Sequence, residues 1–314
     1  MGEEEIPLVI AQPYAFPILD LKYQQRWNIP EEVVITAAVT GVIIDRSGNP
    51  KQPYTTEEIL KESMAVVDAG ATALHIHTRD PATGLYTTDR KPIHDVIDPL
   101  KEKYGKNVVI GGEALFGENF EELMYPIKAG LYEVSPVNTC GMFVGDALFA
   151  NPPPFLQAAT KYFQEHGTKP QIAVYNPGDI DNAYRWLIKP KIIEPPFEWI
   201  VVPAIPGAMP MTNSRAMIEA LLFFERRIRE VDPTDSPFIT VCSSGRASSY
   251  ITALTMLLGH NVRVGMEDTI YQYPHKDDML TNNTESIKIT TALAEALGRR
   301  PATAEEYRKR LGIK

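Results

Sequence analysis

From about residue 33 onward, short apolar runs alternate with longer amphipathic stretches. Residues 33–41 form a β-branched run that predicts a first strand. Residues 55–71 carry a helical stripe of Ile59, Met64, Val66 and Val67, opened by Thr55 and Glu58 at capping-box spacing. The same alternation predicts strands at 73–78, 107–112, 131–137, 171–175, 197–205, 238–242 and 262–266. It predicts helices at about 93–104, 119–129, 155–166, 181–188, 214–231, 247–258 and 285–297, with a Pro-rich loop before the helix at 155. Pro301 and the capping-box pair Thr303 and Glu306 start a short C-terminal helix.

Strand–helix alternation implies parallel strands joined by crossover helices. Eight such units with continuous apolar strands favour a closed (β/α)8 TIM barrel, an α/β fold, over an open doubly wound sheet. No G-x-G-x-x-G follows the first strand and no G-x-x-x-x-G-K-[ST] occurs, which removes the main support for a nucleotide-binding open sheet. Residues 1–32 do not fit the repeat. They are expected to form an N-terminal arm on the barrel floor or on a neighbouring subunit, leaving 33–314 as the barrel domain.

A length of 314 residues, 44% of them hydrophobic, suits one large barrel. The net charge of −9, with Lys and Arg dispersed, argues against a nucleic-acid or anionic-membrane surface. The opening Met-Gly-Glu-Glu-Glu-Ile lacks the basic-then-apolar order of a signal peptide, and Ile6 breaks the myristoylation pattern. No apolar run approaches the ~18 residues that span a bilayer. Cys140 and Cys242 lie far apart and read as reduced thiols. The expected location is the cytoplasm.

Catalytic groups of such barrels sit at the C-terminal ends of the strands. The second strand ends Leu74-His75-Ile76-His77-Thr78-Arg79-Asp80. Alternation puts His75, His77 and Arg79 on one face, and Leu74 and Ile76 suit the helix layer, so the histidines point inward. Two imidazoles about 7 Å apart along a strand can converge on one metal ion, Zn²⁺ by preference. The plainer alternative is two polar residues hydrogen-bonded locally. The eighth strand ends Arg263-Val264-Gly265-Met266-Glu267-Asp268, where Glu267 is either a third ligand or part of a solvated acidic turn. Glu113, Asn138, Thr139, Tyr175 and Asn176 stand at other strand ends. The turn Ser243-Ser244-Gly245-Arg246 opens a helix and could hold phosphate, or simply present Arg246 to solvent. His94, His166 and His260 read as surface or capping residues, and His275 as a weak candidate.

Thr36-Ala37-Ala38-Val39-Thr40-Gly41, the segment from Ala69 to Pro81 and Gly265-Met266-Glu267-Asp268 together resemble the β-keto acid cleavage enzymes, including the 3-keto-5-aminohexanoate cleavage enzymes. The likeness runs from about residue 33 to the end of the chain. It implies Zn²⁺ on His75, His77 and Glu267, and a reaction of a 3-oxo acid with acetyl-CoA giving acetoacetate and a new acyl-CoA. It further implies Arg263 and Asp268 as a catalytic pair, Arg79, Glu113, Asn138 and Arg246 as substrate or CoA contacts, and a homo-oligomer, a tetramer. Zn²⁺ would polarise the 3-oxo group.

The departures fall in the substrate pocket. A family Glu after the first strand is Ile43 here, a family Ser at the third strand end is Glu113, and its Thr partner falls at Pro136. Facing carboxylates repel unless a proton or cation intervenes. Either Ser135, Asn138 or Thr139 takes over, or the substrate presents a different group there. Two rivals remain on sequence grounds. One is an amidohydrolase-type hydrolase, which would carry H-x-H on the first strand and further histidines on the fifth and sixth. The other is a barrel that keeps its metal and only binds a ligand.

Overall fold

The computed structural model describes residues 25–113 and 119–313. Eight parallel strands close into a barrel: β1 (Ile35–Ala38), β2 (Ala73–Ile76), β3 (Val109–Gly112), β4 (Val134–Asn138), β5 (Lys169–Val174), β6 (Glu198–Val201), β7 (Phe238–Cys242) and β8 (Asn261–Val264). Each strand pairs with the next in sequence, and β8 pairs with β1 to close the ring. The fold is the (β/α)8 barrel that the alternation predicts. Residues 1–24 of the expected N-terminal arm lie outside the described residues. Among the described residues no helix is long and apolar enough to cross a membrane.

Around the barrel run α1 (Thr56–Asp68), α2 (Arg90–Tyr104), α3 (Phe120–Leu123), α4 (Tyr125–Lys128), α5 (Pro153–Glu165), α6 (Pro177–Ala183), α7 (Ser214–Val231), α8 (Ser248–Leu257) and α9 (Asn283–Ala296). The cap of α1 is reciprocal: Glu58 N–H donates to Thr55 Oγ1 and Thr55 N–H donates to Glu58 Oε2, an arrangement worth about 1 kcal/mol. Its buried positions Ile59, Ser63 and Val66 fall at helical spacing on the face toward the barrel. The main core lies between this helical layer and the outward faces of the strands, where Leu74, Ile76, Ile172, Trp199 and Val241 are all buried.

Three stretches differ from the sequence pattern. The helix expected over 119–129 is two short turns, α3 and α4, meeting at Met124; Pro126 has no N–H for a continuous helical ladder. The π turn Tyr184–Ile188 continues from α6. Part of the loop expected before α5 is an antiparallel hairpin, Gly141–Val144 with Ala147–Ala150, which turns at Gly145 and Asp146. His260 also departs from expectation. It is buried, with Nε2 3.4 Å from Glu225 Oε1, and this contact heads the causes that hold the Glu225 carboxyl down to about 2.

The C-terminal helix α10 (Ala304–Leu311) carries the Thr303–Glu306 capping box and closes the barrel floor. Tyr307, Ala304 and Leu311 pack with Val34, Ala73, Val109 and Val134 beneath the strands. The Tyr307 hydroxyl donates to Glu198 Oε2 at 2.6 Å, Gln171 donates to the same oxygen at 2.8 Å and Thr240 to Oε1 at 2.8 Å. Beside this plug Glu32–Val33 pairs in parallel with Arg300–Pro301. Arg299 donates to the carbonyls of Pro30, Glu32, Met256 and His260.

Candidate metal centre and active site

The mouth of the barrel is built from the strand ends. Because Leu74 and Ile76 are buried in the helix-side core, the alternating His75 and His77 point to the interior. Their Nε2 atoms lie 3.0 Å apart, and Glu267 Oε1 is 3.3 Å from each. Glu267 is carried by the turn after β8, pinned by its N–H donating to Ala38 O at 3.2 Å. It also needs Gly41: a methyl carbon there would lie 2.3 Å from Glu267 Cγ. The Thr40-Gly41 pair at the end of the first strand therefore makes room for a carboxylate from the eighth.

Among the described residues His75, His77 and Glu267 form the one cluster whose donor atoms, all within 4.8 Å of one another, could hold a metal ion. Two observations fit a cation. Glu267 Oε2, at the cluster, is buried with no hydrogen-bond partner, and buried polar atoms are ordinarily satisfied. His75 and Glu267 are also in their ligating forms. Burial first, then the Arg263 guanidinium, pushes His75 down to about 4, so it is neutral near pH 7. Burial opposes ionisation of Glu267, yet Arg263 and the two histidines hold its carboxyl well below the usual range. Two imidazoles and one carboxylate make a donor set suited to Zn²⁺ with an open position.

Arg263 and Asp268 stand beside the cluster. Arg263 donates from Nε to Asp268 Oδ2 at 3.0 Å and from Nη2 to Oδ1 at 2.8 Å, a planar two-point pairing. The same Nη2 donates to Glu267 Oε1 at 2.5 Å, so one guanidinium joins the cluster to Asp268. Burial pushes the Asp268 carboxyl up to about 6 despite Arg263, and the neighbouring Glu267 carboxylate adds to that push. The Asp268 carbonyl is fixed by the N–H of Gly245, at 2.9 Å.

Glu113 lies on the other side of His77, with Oε2 3.8 Å from Nε2. Asn138 Nδ2 donates to Glu113 Oε1, and the Tyr175 hydroxyl donates to Asn138 Oδ1 at 2.9 Å. Burial raises the Glu113 carboxyl, opposed by His77 and Asn138. Of the three replacements considered for the Pro136 position, Asn138 faces the cavity. Ser135 is fully buried away from it, and the Thr139 hydroxyl donates to the carbonyls of Ala173 and Asp179.

Two expected contacts sit elsewhere. Arg79 is buried, but its guanidinium donates to Thr40 Oγ1 at 3.1 Å, Gly84 O at 2.9 Å, Ile44 O at 2.7 Å and Gly41 O. It ties the loops after β1 and β2 together beneath the mouth instead of reaching into it. Arg246 pairs with Asp277 at 2.6 Å, donates to Lys276 O and covers the Tyr271 ring at 3.4 Å. It does not line the cavity. His275 contacts Tyr250 on the exposed surface, and no histidine follows β5 or β6.

The cavity over the cluster measures about 580 Å³. His77, Glu113, Asn138, Arg263, Glu267 and Asp268 line one side of it. Met142, Val144 and Phe149 of the hairpin, with Ile200, Val202 and Ile205 from β6 and its loop, line the other. The hairpin wall is not among the elements that the apolar alternation predicts, although Met-Phe-Val before Gly-Asp and Ala-Leu-Phe after it is a hairpin signal.

Residues 32–313 match the sequence profile of the beta-keto acid cleavage enzyme family. The chain is 32% identical to the 3-keto-5-aminohexanoate cleavage enzyme of Acetoanaerobium sticklandii, over 90% of this chain and 99% of that one. It is 28% identical to the 3-dehydrocarnitine:acetyl-CoA trimethylamine transferase of Rhizobium meliloti, over 91% and 98%. Among solved structures, apo ObcA superposes with a TM-score of 0.72 at 17% identity. That match covers 84% of this chain and 66% of ObcA, and it speaks to the fold alone. The profile match along the barrel and the near full-length relatives carry one conclusion: this chain belongs to the β-keto acid cleavage enzyme family.

Proposed function

We propose that the enzyme is Zn²⁺-dependent and reacts a 3-oxo acid with acetyl-CoA, yielding acetoacetate and the acyl-CoA of the remaining fragment. The observation that carries the reading is the buried His75–His77–Glu267 cluster, with its unpartnered Glu267 oxygen, set directly against the Arg263–Asp268 pair. Acetyl-CoA comes from the name of the Rhizobium meliloti relative.

Zn²⁺ held by His75, His77 and Glu267 would supply Lewis acidity to the 3-oxo group. Asp268, lining the cavity, takes the C2 proton of the acid at a carboxylate oxygen, and C2 bonds to the acetyl carbonyl carbon as the CoA thiolate leaves. The thiolate then adds to the original C3, the C2–C3 bond breaks, and Asp268 returns the proton to the departing carbon. Atoms balance: one C–C bond and one thioester form as one of each breaks, and no redox partner is needed. Arg263 keeps Asp268 oriented through two hydrogen bonds. Arg79 acts as a positioning residue by fixing the loop that bears Gly41, and Glu113 and Asn138 border the reacting group. The Arg246 turn lies outside the cavity and is left for the CoA phosphates. We extend the proposal to a homo-oligomer, as the family resemblance implies, working in the cytoplasm, and two buried free cysteines accord with a reducing compartment.

The test couples metal analysis to turnover. We expect about one Zn²⁺ per chain in the purified protein, lost in His75→Ala and His77→Ala, and acetoacetate formed from 3-oxo acids only when acetyl-CoA is present. Full metal content in both variants would refute the ligand assignment. Product formation without acetyl-CoA would refute the transfer.

A further inference from the structure

The barrel mouth is divided by strand. Among the described residues, every charged group that lines the cavity comes from β3 or β8 and the turns after them: Glu113, Arg263, Glu267 and Asp268. Where β5, β6 and the hairpin after β4 line the opposite arc, the described residues present only uncharged side chains. Cys140, Met142, Ala173, Tyr175, Ile200, Val202, Ala208 and Cys242 form an apolar cluster separate from the main core, and Val144, Phe149 and Ile205 pack on it. Strand alternation explains why this surface faces inward: Ala173 and Ile200 pair in register, while their neighbours Ile172, Val174, Trp199 and Val201 are buried in the outer core.

This division bears on the substrate. The group to be cleaved must lie at the charged arc, next to His77 and Asp268. Whatever hangs from the 3-oxo carbon then extends over the apolar arc. Among the described residues, no Lys or Arg lines that arc to meet a second carboxylate, and Arg263, the one Lys or Arg among them in the lining, is already shared by Asp268 and Glu267. Among the described residues that line that arc, no carboxylate stands to meet an ammonium group either; Asp146 stands at the exposed turn of the hairpin, outside the lining. Glu113 is at the inner end beside His77, with one oxygen held by Asn138. A charge carried onto the apolar arc would lose its water without gaining a partner.

We propose that the preferred substrate is a 3-oxo acid whose substituent is uncharged and apolar, and that Met142, Val144, Phe149, Ile200, Val202 and Ile205 select it. This deepens the acyl-transfer reading above and rests on it. It sets the enzyme apart from relatives named for an amino acid or a quaternary ammonium substrate.

The experiment uses the metal-loaded full chain with saturating acetyl-CoA and measures kcat/KM for 3-oxopentanoate, 3-oxohexanoate, 3-oxooctanoate, 3-oxo-5-aminohexanoate and 3-oxoadipate. We expect a rise of about fourfold per added methylene, the equivalent of ~0.8 kcal/mol, with the aminated and dicarboxylic acids at least about tenfold below the apolar acid of equal length. Ile205→Arg, checked for folding by its circular dichroism and melting temperature, should move preference toward 3-oxoadipate. Preference for the aminated acid would overturn the proposal and make Glu113 the reader of an ammonium group. Preference of the unaltered enzyme for 3-oxoadipate would overturn it as well. Should no acid turn over, the acyl-transfer reading fails, and the same acids are then compared as ligands by the rise in melting temperature they cause. Stabilisation that grows with apolar chain length still supports the apolar arc; equal or greater stabilisation by the charged acids refutes it.

Discussion

Gly41→Ala tests the architecture of the metal centre without touching a ligand. The added methyl carbon would sit 2.3 Å from Glu267 Cγ and 3.0 Å from Cδ, where ordinary contact begins at 3.4 Å. Glu267 must therefore retreat by about 1 Å, several times the roughly 0.2 Å by which metal–ligand distances vary. Loss of support for one ligand lowers metal affinity about 10- to 100-fold, equivalent to ~1.4–2.7 kcal/mol. The assay is competition for Zn²⁺ against a chromophoric chelator, run on the parent protein, Gly41→Ala, Glu267→Ala and the double variant. Gly48→Ala serves as control, since its methyl would meet its nearest atoms at 3.5 Å. If Gly41 acts through the Glu267 side chain, adding Gly41→Ala to Glu267→Ala, which lacks the clashing Cγ and Cδ, costs nothing more. Parental affinity in Gly41→Ala, or a loss that simply adds to that of Glu267→Ala, would refute the steric argument.

Three further outcomes follow from features away from the ligands. Arg79→Lys replaces a planar fork serving four oxygen acceptors with a point donor, and should lower stability by about 2–4 kcal/mol in urea unfolding; a change below about 0.5 kcal/mol would mean that those acceptors are satisfied without it. Burial raises the Glu198 carboxyl above its ordinary value of 4.5, against the pull of Tyr307, Gln171 and Thr240. The folded state then binds that proton more tightly, so this contribution is fully present below the unfolded value and is lost as pH rises through the folded one. Glu198→Gln should accordingly gain stability relative to the parent between pH 5 and pH 8, and an equal difference at both pH values would contradict this. Gly207 has φ +88° and leaves no room for a side chain, since a methyl would lie 1.8 Å from Phe143 O. Gly207→Ala should displace the hairpin, lowering stability by about 1–3 kcal/mol and raising KM for long apolar acids more than it changes kcat; unchanged KM values would detach the hairpin from substrate binding.

The layering of the fold was legible because its two periods are strong. The helix at 214–231 and the strand at 238–242 have the bounds that their apolar spacing predicts. The convergence of His75 and His77 was legible for a related reason: alternation fixes where a side chain points while the chain stays extended. Spacing alone leaves Glu267, in the turn after β8, open between ligand and solvated turn, and the family resemblance is what makes it a ligand. That rule stops where the strand stops. β2 ends at Ile76, and three residues later Arg79 follows the course of a loop, so its four acceptors could not be read from spacing. Arg246 is similar, since its partner Asp277 belongs to a separate loop. The hairpin was hidden by length, each strand being four residues set between Cys140 and a run of prolines. His260 looked like a surface residue because a helix end is often exposed, and only the packing of Glu225 and Arg299 around it shows otherwise.

The floor of the barrel carries a consequence for how the molecule is made. Glu32–Val33 pairs with Arg300–Pro301, Arg299 grips the carbonyls of Pro30 and Glu32, and Tyr307 seals the ring from below. During synthesis, the first strand leaves the ribosome long before its partner β8, and before the residues that clasp its leading edge. Until then it presents an unpaired edge, and the ring stays open with its polar interior exposed. Closure of the ring therefore waits for the C-terminal residues and joins the opening of the barrel to α10. A nascent chain halted short of residue 307 would keep most of its secondary structure while lacking the plug that fixes Glu198, which makes this short floor a checkpoint between an assembled barrel and an aggregation-prone open sheet.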